Sequence, residues 1–269
     1  MDSKPTVRKE DKMLVSFIIA VYNSVLTIEE TILSIIHQSY PNIELIVIDG
    51  GSTDGTLDII HKYKTHINYW ISERDRGISD AFNKGIEVAK GDYINFQGAG
   101  DMLETNTVIE EVFSSIPLGA QYLISCKVKR VEEVDTNKVL WVSPQPASGI
   151  FSPKILLWKM ALYHQGLFTP KWFFVKYGLI DENLKFSMDY EQLLRAYNDF
   201  PEVRLIDKVV AKWRADGVGL NRELEIYAEY NLIKQKNKIE STWVLICVNF
   251  WILLKYYFKS GLALFNLKK

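Results

Sequence analysis

Apolar runs alternate with amphipathic segments along the first hundred residues of the chain. Short, nearly continuous apolar runs predict strands, whereas apolar residues that recur every three or four positions predict helices. Apolar strands between amphipathic helices are typical of a parallel sheet covered on both faces. The pattern therefore predicts an α/β fold with a mostly parallel central sheet. In chain order we expect strand 13–21, helix 27–38, strand 44–48, helix 55–63, strand 68–72, helix 78–89 and strand 92–96.

The second half of the chain has fewer regular patterns. Residues 120–143 predict a β-hairpin whose turn is the sequence DTNK, and we expect no chemistry in it. Residues 243–258 are dense in apolar and aromatic side chains, interrupted only by Asn249 and Lys255. This stretch is shorter than the ~20 residues that span a bilayer, but its composition suits the membrane interface. We therefore expect a C-terminal helical apolar extension that associates peripherally with a membrane; packing on the domain or an oligomer contact is the alternative.

Composition and charge exclude several classes of protein. A chain of 269 residues that is 48% hydrophobic can bury a large core, so it is not disordered. A net charge of −1 and a pI near 6.5 give no reason to expect nucleic acid as a partner. Cys126 and Cys247 stand far apart, which indicates neither a disulfide framework nor a zinc site. Residues 1–12 lack the apolar segment of a secretory signal, so we expect a cytoplasmic protein.

Small and polar residues follow each of the four predicted strands. They form the loops 21–24 (VYNS), 49–56 (DGGSTDGT), 73–77 (ERDRG) and 97–101 (QGAGD). Because ligands bind outside the carboxyl ends of the strands in such sheets, the loops predict a nucleotide site. The chain has neither the G-x-G-x-x-G fingerprint nor the G-x-x-x-x-G-K-[ST] loop. A divalent cation held by one or two carboxylates and by the substrate's phosphates is the usual substitute.

Two of these loops also have simpler explanations. Asp54 comes just before a predicted helix and can cap it, whereas Asp49 precedes two glycines and is less well explained by capping. The glycines of QGAGD can form a tight turn, or they can let another molecule approach the main chain closely.

Two stretches in this region resemble a known family. They contain YNS, DGGSTDGT and NKG in order and at a specific spacing. The chain resembles the nucleotide-sugar domain of the inverting family 2 glycosyltransferases with the GT-A fold, closely over residues 14–101 and loosely to about 217. The resemblance implies transfer of a sugar, of hexosyl or N-acetylhexosaminyl type, from a nucleotide diphosphate donor such as a UDP-sugar to an acceptor hydroxyl.

The resemblance also implies a donor site. Asp49 would contact the base or ribose, while Asp75 and Arg76 would lie near the nucleotide. The segment 212–219 (KWRADGVG) resembles a late loop that closes over the donor. In it, Trp213 would stack on a ring, Arg214 would neutralise phosphate, and two glycines would allow hinge motion. The implied donor-binding residues are Tyr22, Asn23, Asp49, Asp75, Arg76, Asp80, Asn83, Trp213 and Arg214.

The end of the fourth strand departs from the family pattern. The family usually has two carboxylates there, where this chain has Gly100 and then Asp101. The resemblance makes Asp101 the ligand of a Mn²⁺ or Mg²⁺ ion that bridges to the diphosphate. One carboxylate, together with phosphate oxygens and water, suffices for such a site.

The resemblance places the catalytic base at Asp189, in the segment KFSMDYEQLLRAY. Asp189 would stand near the start of an amphipathic helix, so an N-cap is the simpler alternative. Glu191, two residues on, would not share its face and is the next candidate for the base. His164 and Gln165 resemble the acceptor-side residues of the family.

We expect residues 1–220 to form the transferase domain, with a nucleotide-binding half (1–101) and an acceptor and catalytic half (102–220), followed by the extension 221–269. Many relatives build surface polysaccharides on glycan or lipid-linked glycan acceptors at the inner face of the bacterial membrane. Two other functions stay open. Gly100 leaves room for a non-catalytic nucleotide-sugar-binding or scaffold protein; a nucleotidyltransferase would need a basic loop after the first strand, and AVYNSVLT has no Lys or Arg.

Overall fold

The computed structural model describes residues 12–133, 135–214 and 222–266. All seven elements predicted in the first hundred residues are confirmed, each to within two residues at either end. Expectations for residues 1–11, for the glycines of the 212–219 loop and for residues 267–269 lie outside the described residues. The first half consists of β1 (Val15–Val21), α1 (Ile28–Ile36), β2 (Ile43–Asp49), α2 (Thr56–Tyr63), β3 (Tyr69–Ser72), α3 (Ile78–Val88) and β4 (Tyr93–Gly98).

Strand β1 lies at the centre of this half and is buried on both faces. Phe17 and Ile19 pack against α1 and α2, whereas Ile18 and Ala20 pack against α3. The alternation follows from the strand geometry, in which successive side chains point to opposite faces. β1 pairs in parallel with both β2 and β4, and β2 pairs in parallel with β3. The carboxyl ends of the three central strands therefore meet at one edge of the sheet.

The second half brings the remaining strands into the same sheet in both directions. Its order is β3-β2-β1-β4-β8-β6-β9-β5, with β7 paired to β6. The elements are β5 (Met102–Leu103), α4 (Val108–Phe113), β6 (Leu123–Val131), β7 (Val139–Val142), β8 (Leu167–Pro170), α5 (Lys171–Tyr177), α6 (Met188–Arg195), β9 (Val203–Arg214), α7 (Glu223–Lys236) and α8 (Thr242–Asn266).

The expectation of a mostly parallel sheet is wrong for the sheet as a whole, which is mixed. Strand β8 is antiparallel to both of its neighbours, β4 and β6, while β6 and β9 are parallel. The prediction rested on the first half, where helices connect parallel strands, whereas every antiparallel pair involves a strand of the second half. The predicted hairpin is confirmed as β6 and β7, which pair in antiparallel fashion. Its turn is closed by the Lys138 N–H, which donates to the Asp135 carbonyl at 2.9 Å.

The C-terminal helix α8 has one packed face and one exposed face. Leu245 and Val248 are buried, and Asn249 accepts a hydrogen bond from the Lys234 ammonium of α7 at 2.7 Å. Phe250 and Phe258 are 61% and 70% exposed. The packing alternative therefore accounts for the inner face of this helix. Within the described part of the chain, every helix is too short or too polar to cross a membrane.

Candidate active site

A cavity of about 1040 Å³ opens at the carboxyl ends of β1 and β4. Its walls come from both halves of the chain, because β8 pairs with β4, and Met188 of α6 packs in one cluster with Ile18 and Phe82. Seven residues expected at the site line this cavity: Tyr22, Arg76, Asp101, His164, Gln165, Asp189 and Trp213.

Asp101 is buried at the inner end of a tight turn. One carboxylate oxygen, Oδ2, accepts hydrogen bonds from the Gly98 N–H at 3.0 Å and from the Gln165 amide at 3.1 Å. Burial raises the pKa of Asp101, although the charge of His164 and these hydrogen bonds act in the opposite direction. The Gln165 amide, expected to bind the acceptor, is thus bonded to Asp101 instead.

The glycine that replaces the usual acidic residue has a backbone reason. Gly100 has φ +111°, a conformation that side-chain-bearing residues rarely adopt. Its N–H donates to Thr31 Oγ1 at 2.8 Å, and the Asp101 N–H closes the turn onto the Gly98 carbonyl at 3.0 Å. The tight-turn explanation is therefore confirmed, and the same turn presents Asp101 to the cavity.

Asp189 and His164 form a hydrogen-bonded pair in the cavity. His164 Nδ1 lies 3.1 Å from Asp189 Oδ2, and the Tyr190 N–H donates to Asp189 Oδ1 at 2.8 Å. Helix α6 begins at Met188, so Asp189 is its second residue, and the N-cap alternative is wrong. Burial disfavours the charged imidazole, but the hydrogen bond and charge of Asp189, with the charge of Asp101, outweigh it and raise the pKa of His164.

Glu191, the second candidate for the base, is buried and pairs with two cations. Its side chain is fully buried and forms an ion pair with Arg195, whose Nη2 lies 2.6 Å from Oε2. Lys236 of α7 lies 3.5 Å from the other oxygen. Both partners are cations, so this carboxylate helps to attach α7 to α6 and does not line the cavity.

Two residues of the expected donor site, Asp49 and Asn23, form hydrogen bonds within and between the loops. Asp49 is fully buried, and its Oδ2 accepts hydrogen bonds from the N–H groups of Gly51 and Ser52 and from the Ser72 hydroxyl, at 3.0, 2.9 and 2.6 Å. With this bonding Asp49 lies outside the cavity lining and fixes the shape of the loop after β2. Asn23, at φ +45°, accepts the Thr53 N–H at 2.9 Å and so joins that loop to the one after β1.

Three further residues of the expected donor site hold helix α3 in place. Asp80 accepts the Arg76 N–H at 3.0 Å and its guanidinium at 3.1 Å. Asn83 exchanges two hydrogen bonds of 2.9 Å with the backbone of Ile180. The Asp75 carboxylate accepts the Gly77 N–H at 3.0 Å. None of Asp75, Asp80 and Asn83 lies among the residues that line the cavity, whereas Arg76 does.

Trp213 and Arg214, at the end of β9, differ in position. The Trp213 ring lines the cavity, and the Arg130 guanidinium lies 5.3 Å from its centroid. Arg214 forms an ion pair with Glu30 and donates to the Glu133 carbonyl at 3.1 Å, so its guanidinium is engaged away from the cavity lining.

Comparison with known proteins decides the family. Residues 16–155 match the family described as glycosyl transferase family 2. The chain belongs to this family. An uncharacterized glycosyltransferase of Rickettsia typhi is 31% identical over 182 residues, which cover 66% of this chain and 57% of the relative. The chain thus spans little more than half the length of that relative.

Solved structures share the fold of this transferase. TarS of S. aureus in complex with UDP matches 90% of this chain and 71% of its own with a TM-score of 0.66 and 18% identity. The mannosyltransferase PcManGT from Pyrobaculum calidifontis, in complex with GDP-Man and Mn²⁺, matches 89% of this chain and 69% of its own, with a TM-score of 0.64 and 18% identity. At these identities the likeness shows the GT-A fold alone.

One carboxylate that lines the cavity, that of Asp101, follows the end of β4. No group of three or more His, Cys, Asp or Glu side chains arranged to hold a metal occurs in the described residues. Mg²⁺ often binds through one or two carboxylates, with substrate phosphates and water completing its shell. The Asp101 carboxylate, which lines the cavity, fits that mode.

Two residues that position the site were missed by the sequence analysis. Asn95 and Gln97 lie buried on β4, and the Asn95 amide donates to the Gln165 and Leu167 carbonyls at 3.2 and 3.1 Å. The Gln97 amide also donates to the Gln165 carbonyl, at 3.2 Å. The signal was present, since two polar residues alternate within an otherwise apolar buried strand, where each must find a hydrogen-bonding partner.

Proposed function

We propose that this family 2 glycosyltransferase is an inverting enzyme that moves a hexosyl or N-acetylhexosaminyl group from a nucleotide diphosphate donor, such as a UDP-sugar, to an acceptor hydroxyl. The observation that carries the proposal is the Asp189–His164 pair, 3.1 Å apart, in the same cavity as Asp101. A carboxylate with both oxygens oriented by donors is suited to act as a general base.

In the proposed reaction, Asp189 takes the proton of the acceptor hydroxyl. The acceptor oxygen then attacks the anomeric carbon from the face opposite the diphosphate, and the bond from that carbon to the diphosphate oxygen breaks. Tyr22, Arg76 and Trp213 line the cavity where the donor would lie. The other residues of the expected donor site would support donor binding indirectly. The loops and α3 are fixed by Asp49, Asp75, Asp80 and Asn83. Neighbouring segments are joined by Asn23 and Arg214.

A Mn²⁺ or Mg²⁺ ion would be held by Asp101 and would offset the negative charge of the departing diphosphate. Asp101 is kept in place for this role by the Gly98 N–H and the Gln165 amide. The Mn²⁺ complex of the Pyrobaculum mannosyltransferase supports the proposal.

We infer that the acceptor is a glycan or a lipid-linked glycan of a bacterial surface polysaccharide, and that the enzyme works in the cytoplasm at the inner face of the cell membrane. The exposed apolar face of α8 supports peripheral membrane association. We also propose that residues 1–101 bind the nucleotide, that residues 102–220 bind the acceptor and carry the base, and that residues 221–269 form the extension.

The test combines donor binding with turnover. Thermal-shift screening of nucleoside diphosphates and their sugars, with and without Mn²⁺, should identify the donor, because ligands raise the apparent stability by mass action. With that donor, Asp189→Asn should lower turnover by ~10² or more and leave donor affinity nearly unchanged. Asp207→Asn, at an exposed residue of β9, is the matched control. Wild-type turnover in Asp189→Asn would show that the base is elsewhere.

A further inference from the structure

Around Asp189, the lining of the cavity is largely apolar. Met160, Phe186, Ile226 and Tyr230 all line the cavity that contains this carboxylate. Ile226 and Tyr230 lie one turn apart on α7 and so share a face of that helix. These four side chains form an apolar wall of the cavity, and Lys185 and Glu223 line the cavity near them.

Helix α7 is attached firmly enough for this wall to be a fixed part of the site. The Glu229 carboxylate accepts hydrogen bonds from the N–H groups of Lys185 and Phe186 at 2.8 and 3.0 Å. The Tyr230 ring stacks on Tyr190, with centroids 3.9 Å apart. These contacts hold the apolar face of α7 beside the residue that follows Asp189.

Two contacts place α8 near this part of the cavity. The Lys255 ammonium of α8 lies 6.0 Å from the Trp158 ring, two residues before Met160 in the chain. Tyr227 of α7 contacts Tyr256 of α8 at 6.0 Å between centroids. Helix α8 thus contacts residues that are close in the chain to Met160 and Ile226 of the wall.

We propose that Met160, Phe186, Ile226 and Tyr230 form an aglycone subsite, which binds an apolar group attached to the hydroxyl-bearing unit of the acceptor. The inference rests on the proposed function, because the hydroxyl must reach Asp189 for the subsite to begin there. At these four side chains an alkyl or aromatic group gains from leaving water, whereas a glycan hydroxyl that faces them loses hydrogen bonds to water. The subsite therefore selects an amphiphile over a free polysaccharide end.

The test uses two probes that differ only in the apolar group. Binding of n-octyl β-D-glucoside, below its micelle concentration, and of methyl β-D-glucoside to the full chain is measured by titration calorimetry with UDP present. The octyl glucoside should bind at least ~10-fold more tightly, because its chain leaves water. Equal affinities, or no detectable binding of the octyl glucoside, would overturn the inference.

Matched variants locate the octyl chain. Ile226→Ser should weaken octyl glucoside binding at least ~5-fold, the order expected for losing a buried side-chain contact, whereas Leu232→Ser should leave it unchanged. Leu232 is on the same helix, is 64% exposed and does not line the cavity. Equal weakening in both variants would place the chain on the outer surface and refute the subsite. If Ile226→Ser does not fold, Phe186→Ser replaces it.

A separate measurement distinguishes this inference from the proposed function. The UDP-induced thermal shift involves no acceptor, and the effect of Asp189→Asn on turnover is measured with an acceptor that carries no apolar group. If both behave as proposed and the octyl chain gives no advantage, only the aglycone subsite is refuted. If UDP does not bind and no transfer occurs, the proposed function fails, and the subsite fails with it.

Discussion

The contact between His164 and Asp189 gives the sharpest prediction about the mechanism. His164 donates a hydrogen bond to one oxygen of the carboxylate. Although burial disfavours the charged imidazole, Asp189 and Asp101 raise its pKa and so favour the positively charged form. His164→Ala removes both the bond and the charge. His164→Asn keeps a side-chain N–H donor near the position of Nδ1 but carries no charge. Comparing the two variants therefore separates the hydrogen bond from the charge.

The magnitude follows from the kind of bond that is lost. A hydrogen bond to a charged group contributes about 1.5–3 kcal/mol, and each ~1.4 kcal/mol of transition-state stabilisation is worth a factor of about ten in rate. If the bond orients the base in the transition state, His164→Ala should lower turnover ~10- to 10²-fold. His164→Asn should recover most of this loss, and the Michaelis constant for the donor should change little in either variant.

The assay measures release of the nucleoside diphosphate and formation of product, as a function of donor concentration. His66→Ala is the control, because His66 is an exposed histidine outside the cavity. Wild-type turnover in His164→Ala would refute the orienting role. Equal losses in the Asn and Ala variants would show that the charge, and not the hydrogen bond, is what matters.

The same pair predicts a dependence of stability on pH. The pKa of His164 in the folded protein is raised above the usual value of ~6.5, so its contribution is fully present below pH ~6.5 and is lost as the pH rises through the raised pKa. The difference in Tm between wild type and His164→Ala should therefore be larger at pH 6 than at pH 9. A difference that grows with pH would contradict the direction of the shift.

Four other perturbations test separate parts of the molecule. Asp101→Asn should abolish the metal-dependent part of donor binding without lowering Tm, since burial disfavours the charged carboxylate; wild-type dependence on Mn²⁺ would contradict this. Asp49→Ala should lower Tm and weaken donor binding more than turnover, and unchanged donor affinity would remove Asp49 from the donor site. Burial lowers the pKa of Lys234 to about 8 in the folded protein. Above that pH the folded protein loses this proton while the unfolded chain still binds it, so the wild-type Tm should rise with pH. The rise should be absent in Lys234→Met. Phe250→Ser should reduce binding to anionic vesicles without changing Tm, whereas Leu245→Ser should lower Tm; vesicle binding that survives Phe250→Ser would argue against docking through that face.

The first half of the fold was predictable because its signals are local. Each strand of the first hundred residues is a short apolar run, and each helix has a periodic apolar face, so neighbouring residues specify the element. The direction of β8 was not predictable in this way. Strand β8 has four residues, and its two partners, β4 and β6, lie far away in the chain.

The site was predictable in location but not in the role of each residue. The loops after β1, β3 and β4 line the cavity, as the parallel sheet implies, whereas the loop 49–56 after β2 contributes no lining residue. The roles of Asp49 and Gln165 depend on their hydrogen-bonding partners: the first bonds within its own loop, and the second bonds a residue 64 positions away. A motif identifies the residue type at a position, but it does not reveal whether the side chain faces the cavity or the backbone behind it.

The part of the fold that the sequence did not predict is the part that brings His164 to Asp189. Because β8 inserts antiparallel beside β4, the turn before it, His164–Gly166, lies next to the end of β4, where Asp101 is located. The Asn95 amide of β4 donates a hydrogen bond to the Gln165 carbonyl of this turn. On the other side, a Cβ on Gly166 would lie 2.7 Å from the Cys126 carbonyl of β6. The turn is therefore held between two strands. A change that shifts β8 should thus displace His164 from Asp189 before it affects the nucleotide half, so Gly166→Ala should lower turnover while UDP binding persists. If that variant lost UDP binding together with turnover, the position of β8 would affect both halves of the site, and the reasoning would be refuted.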